Sequence, residues 1–188
     1  MNLFSMIQHC KIGSGAFLCK EELPNGLSLS GNLPDLDLEW ATTYEFKGRA
    51  KDHCGTICAV NLALWLLRQY KPHKEMLFRL FYHYIKKGPT LSTRGLKKAF
   101  KTIGFPLQRQ RIKSYEQLKI AINQGKPVCI LLSTQGFHWH WVMAVGWREF
   151  PNGERYLRIV DNWRPTSERY YKPPKDAEWL YSETFILK

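Results

Sequence analysis

Residues 52–67 read DHCGTICAVNLALWLL, and how this stretch folds decides how the rest of the chain is read. Ala59, Leu62, Ala63, Leu66 and Leu67 recur at three- and four-residue steps, which predicts a helix from Cys54 to about Tyr70, where Lys71-Pro72 stops it. Cys54 then stands in the first turn, where unpaired N–H groups and the helix dipole stabilise a thiolate, and Gly55 beside it leaves the sulfur accessible. Cys58 falls one turn deeper among apolar neighbours and is expected in the core. Cysteine in an apolar helix is most often structural, so the reading of Cys54 rests on whether the rest of the chain supplies a base, metal ligands or neither.

Working outward, a second helix is predicted over 74–87, with Leu77, Leu80, Phe81, Tyr84 and Ile85 on one stripe. Ser92 or Thr93 can cap a third that runs to Ile103 and closes at Gly104. Ser114 can cap a fourth over 115–123, closed by Gly125. The period then changes to that of strands at 128–133, 139–148, 155–161 and 183–187, with Pro151-Asn152-Gly153 as a hairpin turn. Helices followed by antiparallel strands define an α+β chain. Residues 1–50 hold turn signals and the acidic run Asp35 to Glu39 without a helical period. The expectation is one domain over 1–188, with an N-terminal wrap (1–50), a helical lobe (54–124) and an antiparallel sheet lobe (127–188).

Apolar residues at 44% and aromatics at 14% exclude a disordered chain. No leader pattern opens the sequence and no apolar run is long enough to span a membrane. Five scattered cysteines do not make a disulfide framework, so reduced thiols in a cytoplasm are expected. The net charge is +12. Residues 68–119 carry fourteen Lys or Arg against Glu75 and Glu116, which accounts for all of it and predicts a basic face able to attract an acidic partner.

A nucleophilic thiol needs a base, and the base needs an acceptor on its other ring nitrogen. Both residue types follow in order: His138-Trp139-His140-Trp141 opens one predicted strand, and Asp161-Asn162-Trp163 closes the next. Strand parity puts His138, His140, Val142 and Ala144 on one face and Leu157, Ile159 and Asp161 on one face of the neighbour, so His140 and Asp161 can meet across the hairpin. Asn162 points the other way, and His138 reads as a loop residue.

The run His53-Cys54-Gly55-Thr56 opening an apolar helix, Gly125-Lys126-Pro127-Val128 leading a strand, His140-Trp141-Val142-Met143-Ala144-Val145-Gly146-Trp147 and Val160-Asp161-Asn162-Trp163 together resemble the papain-like cysteine peptidases. The branch they are most similar to is that of the bacteriocin-leader-processing, double-glycine peptidases and their stand-alone relatives. The resemblance covers roughly residues 47–169. It implies a papain-like fold, a peptide or protein substrate, no cofactor and no metal, with Cys54 as nucleophile, His140 as base, Asp161 as the orienting residue, and Asn162 and Trp163 as accessory positions. It also implies a glutamine six residues before the cysteine to donate into the oxyanion hole, where this sequence has Gly48. Asn32, Tyr44 and Arg49 are the candidate replacements.

Three other readings compete. Cys54, Cys58, His138 and His140 have the count of a Cys2His2 zinc site, although His-x-His is not the usual helical pair and a chain of this size folds without a metal. Nucleic-acid binding would use the basic window, but Phe81, Tyr84 and Phe100 fall on apolar stripes and no nucleic-acid motif is present. A catalytically inactive papain-like binding module is the third, motivated by Gly48.

Overall fold

The computed structural model describes residues 15–46, 53–85, 91–134, 138–174, 179 and 181–188, and of residues 133, 134 and 138 the main chain only. Cys10, Gly48 and Arg49 lie outside the described residues. In chain order the elements are β1 (Ala16–Cys19), β2 (Leu29–Asn32), α1 (Cys54–Leu66), α2 (Lys74–Ile85), α3 (Thr93–Thr102), β3 (Leu107–Arg111), α4 (Tyr115–Asn123), β4 (Val128–Thr134), β5 (His138–Glu149), β6 (Arg155–Val160), β7 (Arg169–Lys172) and β8 (Tyr181–Leu187). The fold is α+β, and every strand pairing is antiparallel.

The strands form one sheet in the order β1-β7-β6-β5-β4-β8-β3, and β2 adds to the far half of β5. β5 is long enough to take two partners along one edge: β4 pairs with residues 138–144 and β2 with residues 146–149. On the other edge it pairs with β6 across a bulge between Ala144 and Gly146. Gly146 must stay small there, because a Cβ would meet the main-chain oxygen of Gly31 at 2.9 Å as well as the Asn32 side chain.

α1 is apolar on all sides rather than on one stripe, and every residue from Gly55 to Trp65 is buried. Such a helix is stable only inside a protein, and α1 accordingly lies between β5 and α2. It ends at Leu66, and a short 3-10 turn over Arg68–Tyr70 completes the segment expected to be helical as far as Tyr70. Ser92 caps α3 through Gly95 N (3.1 Å) and Ser114 caps α4 through Gln117 N (3.3 Å). The end expected for α2 at residues 86–87 lies outside the described residues.

β3 and β7 lie in stretches without an alternating apolar pattern. β3 is LQRQR, exposed after Leu107, and forms through its ladder to β8. β7 joins β6 to β1, so part of the N-terminal segment is the outermost strand of the sheet. The remainder of that segment buries Leu33, Trp40, Ala41 and Phe46 in the main core.

The basic window is less uniform than its sequence. Arg68 pairs with Asp35 (3.1 Å), and Lys74 with Glu39 and Glu45 (2.8 Å each), so the acidic N-terminal run neutralises part of it. No helix among the described residues is long and apolar enough to cross a membrane.

Candidate active site

Cys54 is the first residue of α1 and half-buried, whereas Cys58, one turn on, is fully enclosed and donates its S–H to Val142 O (3.5 Å). That contact lays the start of α1 along the start of β5. The Cys54 thiol thereby faces the main chain of Trp141, the residue after His140. Burial pushes the thiol above its ordinary value of 9.0, against the pull of main-chain hydrogen bonds from Trp141, Gly55 and Cys54 itself.

His140 is 5% exposed. Its Nε2 lies 2.6 Å from the main-chain oxygen of Asp161. A carbonyl only accepts, so Nε2 carries the proton and Nδ1 keeps the lone pair, which is the tautomer a base needs. Burial holds the imidazole below its ordinary 6.5, and the Asp161 carbonyl and carboxylate act in the opposite direction. Trp163 stacks on the ring with centroids 4.0 Å apart and planes at 12°, and Phe17 of β1 approaches its edge at 6.3 Å.

Asp161 is 1% exposed, and its carboxylate is engaged away from the imidazole. Oδ1 accepts from Trp163 N and Arg164 N, both at 2.9 Å, and Oδ2 accepts from Arg169 Nε at 3.1 Å. The side chain thus closes the turn that carries Trp163, while its own carbonyl holds His140. Asn162, at φ 64, has its side chain turned from the imidazole: Nδ2 donates to Trp141 O (2.7 Å) and Oδ1 accepts from Asn61 Nδ2 (2.7 Å). Asn61 also clasps both main-chain groups of Ala41, accepting from N (2.8 Å) and donating to O (3.0 Å). An amide pair therefore ties α1, the turn after β6 and β5 together, and fixes the cysteine helix relative to the histidine strand.

The structure brings Cys54, His140, Asp161 and Trp163 to one end of α1 and β5, but no hydrogen bond joins Cys54 to His140 among the described residues. Burial favours the uncharged form of both the thiol and the imidazole. Of the oxyanion candidates, Asn32 pairs with Gly146, six residues along β5 from His140, and accepts from Arg158 Nη1 (3.3 Å), which places it away from the site. Tyr44 is exposed beside Thr43, whose N–H donates to Asn162 O (2.8 Å). His53 is buried against Phe78, with both ring nitrogens lacking a partner among the described residues. Cys58 is committed to the core, and no three His, Cys, Asp or Glu among the described residues are grouped to hold a metal; the His138 side chain is outside them.

Asn61 and Arg169 did not emerge from the sequence. An amide within an otherwise apolar run signals Asn61, because a buried amide must find partners. Nothing in the local sequence marks Arg169.

The fold is that of the papain-like cysteine peptidases. A C39-like peptidase from Bacillus anthracis superposes with a TM-score of 0.54 at 15% identity, over 85% of this chain and 98% of that one. UfSP from C. elegans superposes with a TM-score of 0.52 at 14% identity, over 89% of this chain and 35% of that one, so this chain spans about a third of that protein's length. No protein-family model matches the sequence, and no curated protein matches it.

Proposed function

We propose that the chain is a thiol hydrolase acting on a peptide or amide bond, with Cys54 as nucleophile and His140 as base. The observation that carries this is a buried imidazole whose Nε2–H is held by Asp161 O, on a strand whose next residue, Trp141, meets the Cys54 thiol through its main chain. His140 Nδ1 takes the thiol proton as the sulfur attacks the carbonyl carbon, so no preformed ion pair is needed. The Cys54 N–H, in the first turn of α1, donates to the developing oxyanion. The imidazolium then gives its proton to the leaving amine, and water, deprotonated by His140, releases the acyl group from sulfur. Asp161 orients the ring through its main chain and adds the field of its carboxylate. The neutral thiol closes on His140 as the substrate seats, since such contacts tighten in the reacting complex.

The test is labelling with a peptidyl acyloxymethyl ketone, followed by peptide mapping, on the wild type, Cys54→Ala and His140→Ala. Cys54 is expected to carry the label, and His140→Ala to lose it. If the folded wild type leaves Cys54 unlabelled by a panel of such probes, the hydrolase reading fails and a papain-like binding module replaces it.

A further inference from the structure

Arg94, Lys97, Lys98 and Lys101 fall at i, i+3, i+4 and i+7 of α3, and with Lys188 they line a groove of about 650 Å³ floored by Pro106 and Leu107. Among the described residues no carboxylate pairs with any of these five, although Arg68, Lys74, Arg79, Arg109 and Lys119 of the same basic window all have acidic partners. The helix that presents them is firmly seated. Its opposite face buries Leu96, Ala99 and Phe100; Thr93 donates to the buried Glu183 (3.0 Å); and a Cβ on Gly95 would meet Tyr84 O at 2.4 Å.

The groove is separate from the site around Cys54. On β4, Leu132 pairs with His140 and Val128 pairs with Thr184, and β8 then runs four residues further to Lys188. Eight residues of strand put the Lys188 end of the groove about 26 Å from His140 along the sheet.

We propose that this groove docks an acidic, extended segment of a partner protein. The successive turns of α3 present charge about every 5 Å over about 10 Å. Carboxylates at alternate positions of an extended chain recur about every 7 Å on one side, so a run of four to five residues matches the row. A single strand of nucleic acid would need aromatic faces for its bases, and none among the described residues lines the groove. A membrane surface would need exposed apolar anchors, and none of the large exposed apolar side chains among the described residues lines it either.

The experiment is fluorescence anisotropy with a labelled eight-residue peptide alternating Glu and Ser, set against a labelled oligothymidylate and phosphatidylserine vesicles. The peptide is expected to bind and to weaken as salt is raised. Lys97→Glu/Lys101→Glu should weaken it about tenfold or more, while Lys71→Glu/Lys113→Glu, with the same net charge but outside the groove, should leave it within twofold. Circular dichroism checks that both double variants are folded. Equal losses in the two variants, or tighter binding of the oligonucleotide or the vesicles than of the peptide, would overturn the proposal. No catalytic readout enters, so the result is independent of the hydrolase reading.

Discussion

Two buried carboxylates, Asp161 and Glu183, are each held by one arginine, yet they are built differently. Glu183 is fully enclosed and, among the described residues, accepts only from side chains: Thr93 of α3 at 3.0 and 3.1 Å, Tyr181 at 2.9 Å and Arg109 of β3 at 2.6 Å. Asp161 accepts from Arg169 and from two main-chain N–H groups of its own turn. The first cluster clamps a helix to a sheet edge and ends there. The second shapes a loop whose other atoms hold and cover His140. The same chemical pair is a clamp in one place and a positioning device in the other, and the difference lies in what the main chain around it touches.

The largest effects should come from removing the arginines. Arg109→Ala leaves Glu183 buried without its cation and should lower stability by about 3 kcal/mol in urea unfolding, with kcat of the folded enzyme unchanged. Arg169→Ala should lower stability less, by about 2 kcal/mol, because Asp161 keeps two N–H donors. It should also lower kcat by roughly tenfold as the turn under His140 loosens, with partial recovery in Arg169→Lys. Equal kinetic effects at the two sites would remove the distinction between clamp and positioning device.

What could be read in advance divides along the same line. Helices α1 to α4 and the strands from Val128 to Val160 were legible because their apolar periods and stops are local. β3 and β7 were not, since LQRQR and RYYK become strands only through their ladders to β8, β6 and β1. The types and order of Cys54, His140 and Asp161 were visible as a candidate set. The atom that Asp161 offers to His140 was not, because residue identity reports a side chain and the contact is made by a carbonyl that every residue has. Arg169 depended on β7 being a strand at all.

A smaller effect tests the cover. Trp163 stacks on His140 and contributes to the burial that holds its imidazole below 6.5. Trp163→Ala should let water reach the ring, and the acid limb of kcat/KM should move up towards pH 6.5. The depressed folded-state value also has a sign in stability. Below pH 6.5 the unfolded imidazole takes up a proton that the folded one does not, so stability falls as pH drops from 6.5 through the folded value. In Trp163→Ala that acid-side loss should be smaller than in the wild type. An acid limb that stays in place would mean that Trp163 covers the ring without drying it.

A small kinetic effect is expected from Asp161→Asn, and it is the sharpest test. Where a carboxylate itself accepts from the imidazole, the amide substitution reverses the donor and selects the wrong tautomer, with losses on the order of 10⁴ in kcat. Here the acceptor is Asp161 O, which the substitution leaves intact, and the amide oxygen can still receive Trp163 N and Arg164 N. What is lost is the ion pair with Arg169 and the carboxylate field that favours the imidazolium. The expected fall in kcat is therefore less than about tenfold, with a stability loss of about 1 to 2 kcal/mol. Asp161→Ala removes the turn acceptors as well and should lose more than the amide variant. If Asp161→Asn instead loses activity on the scale of a triad carboxylate, the side chain must swing to His140 in the working enzyme, and Asp161 would then act on the base directly rather than through its main chain.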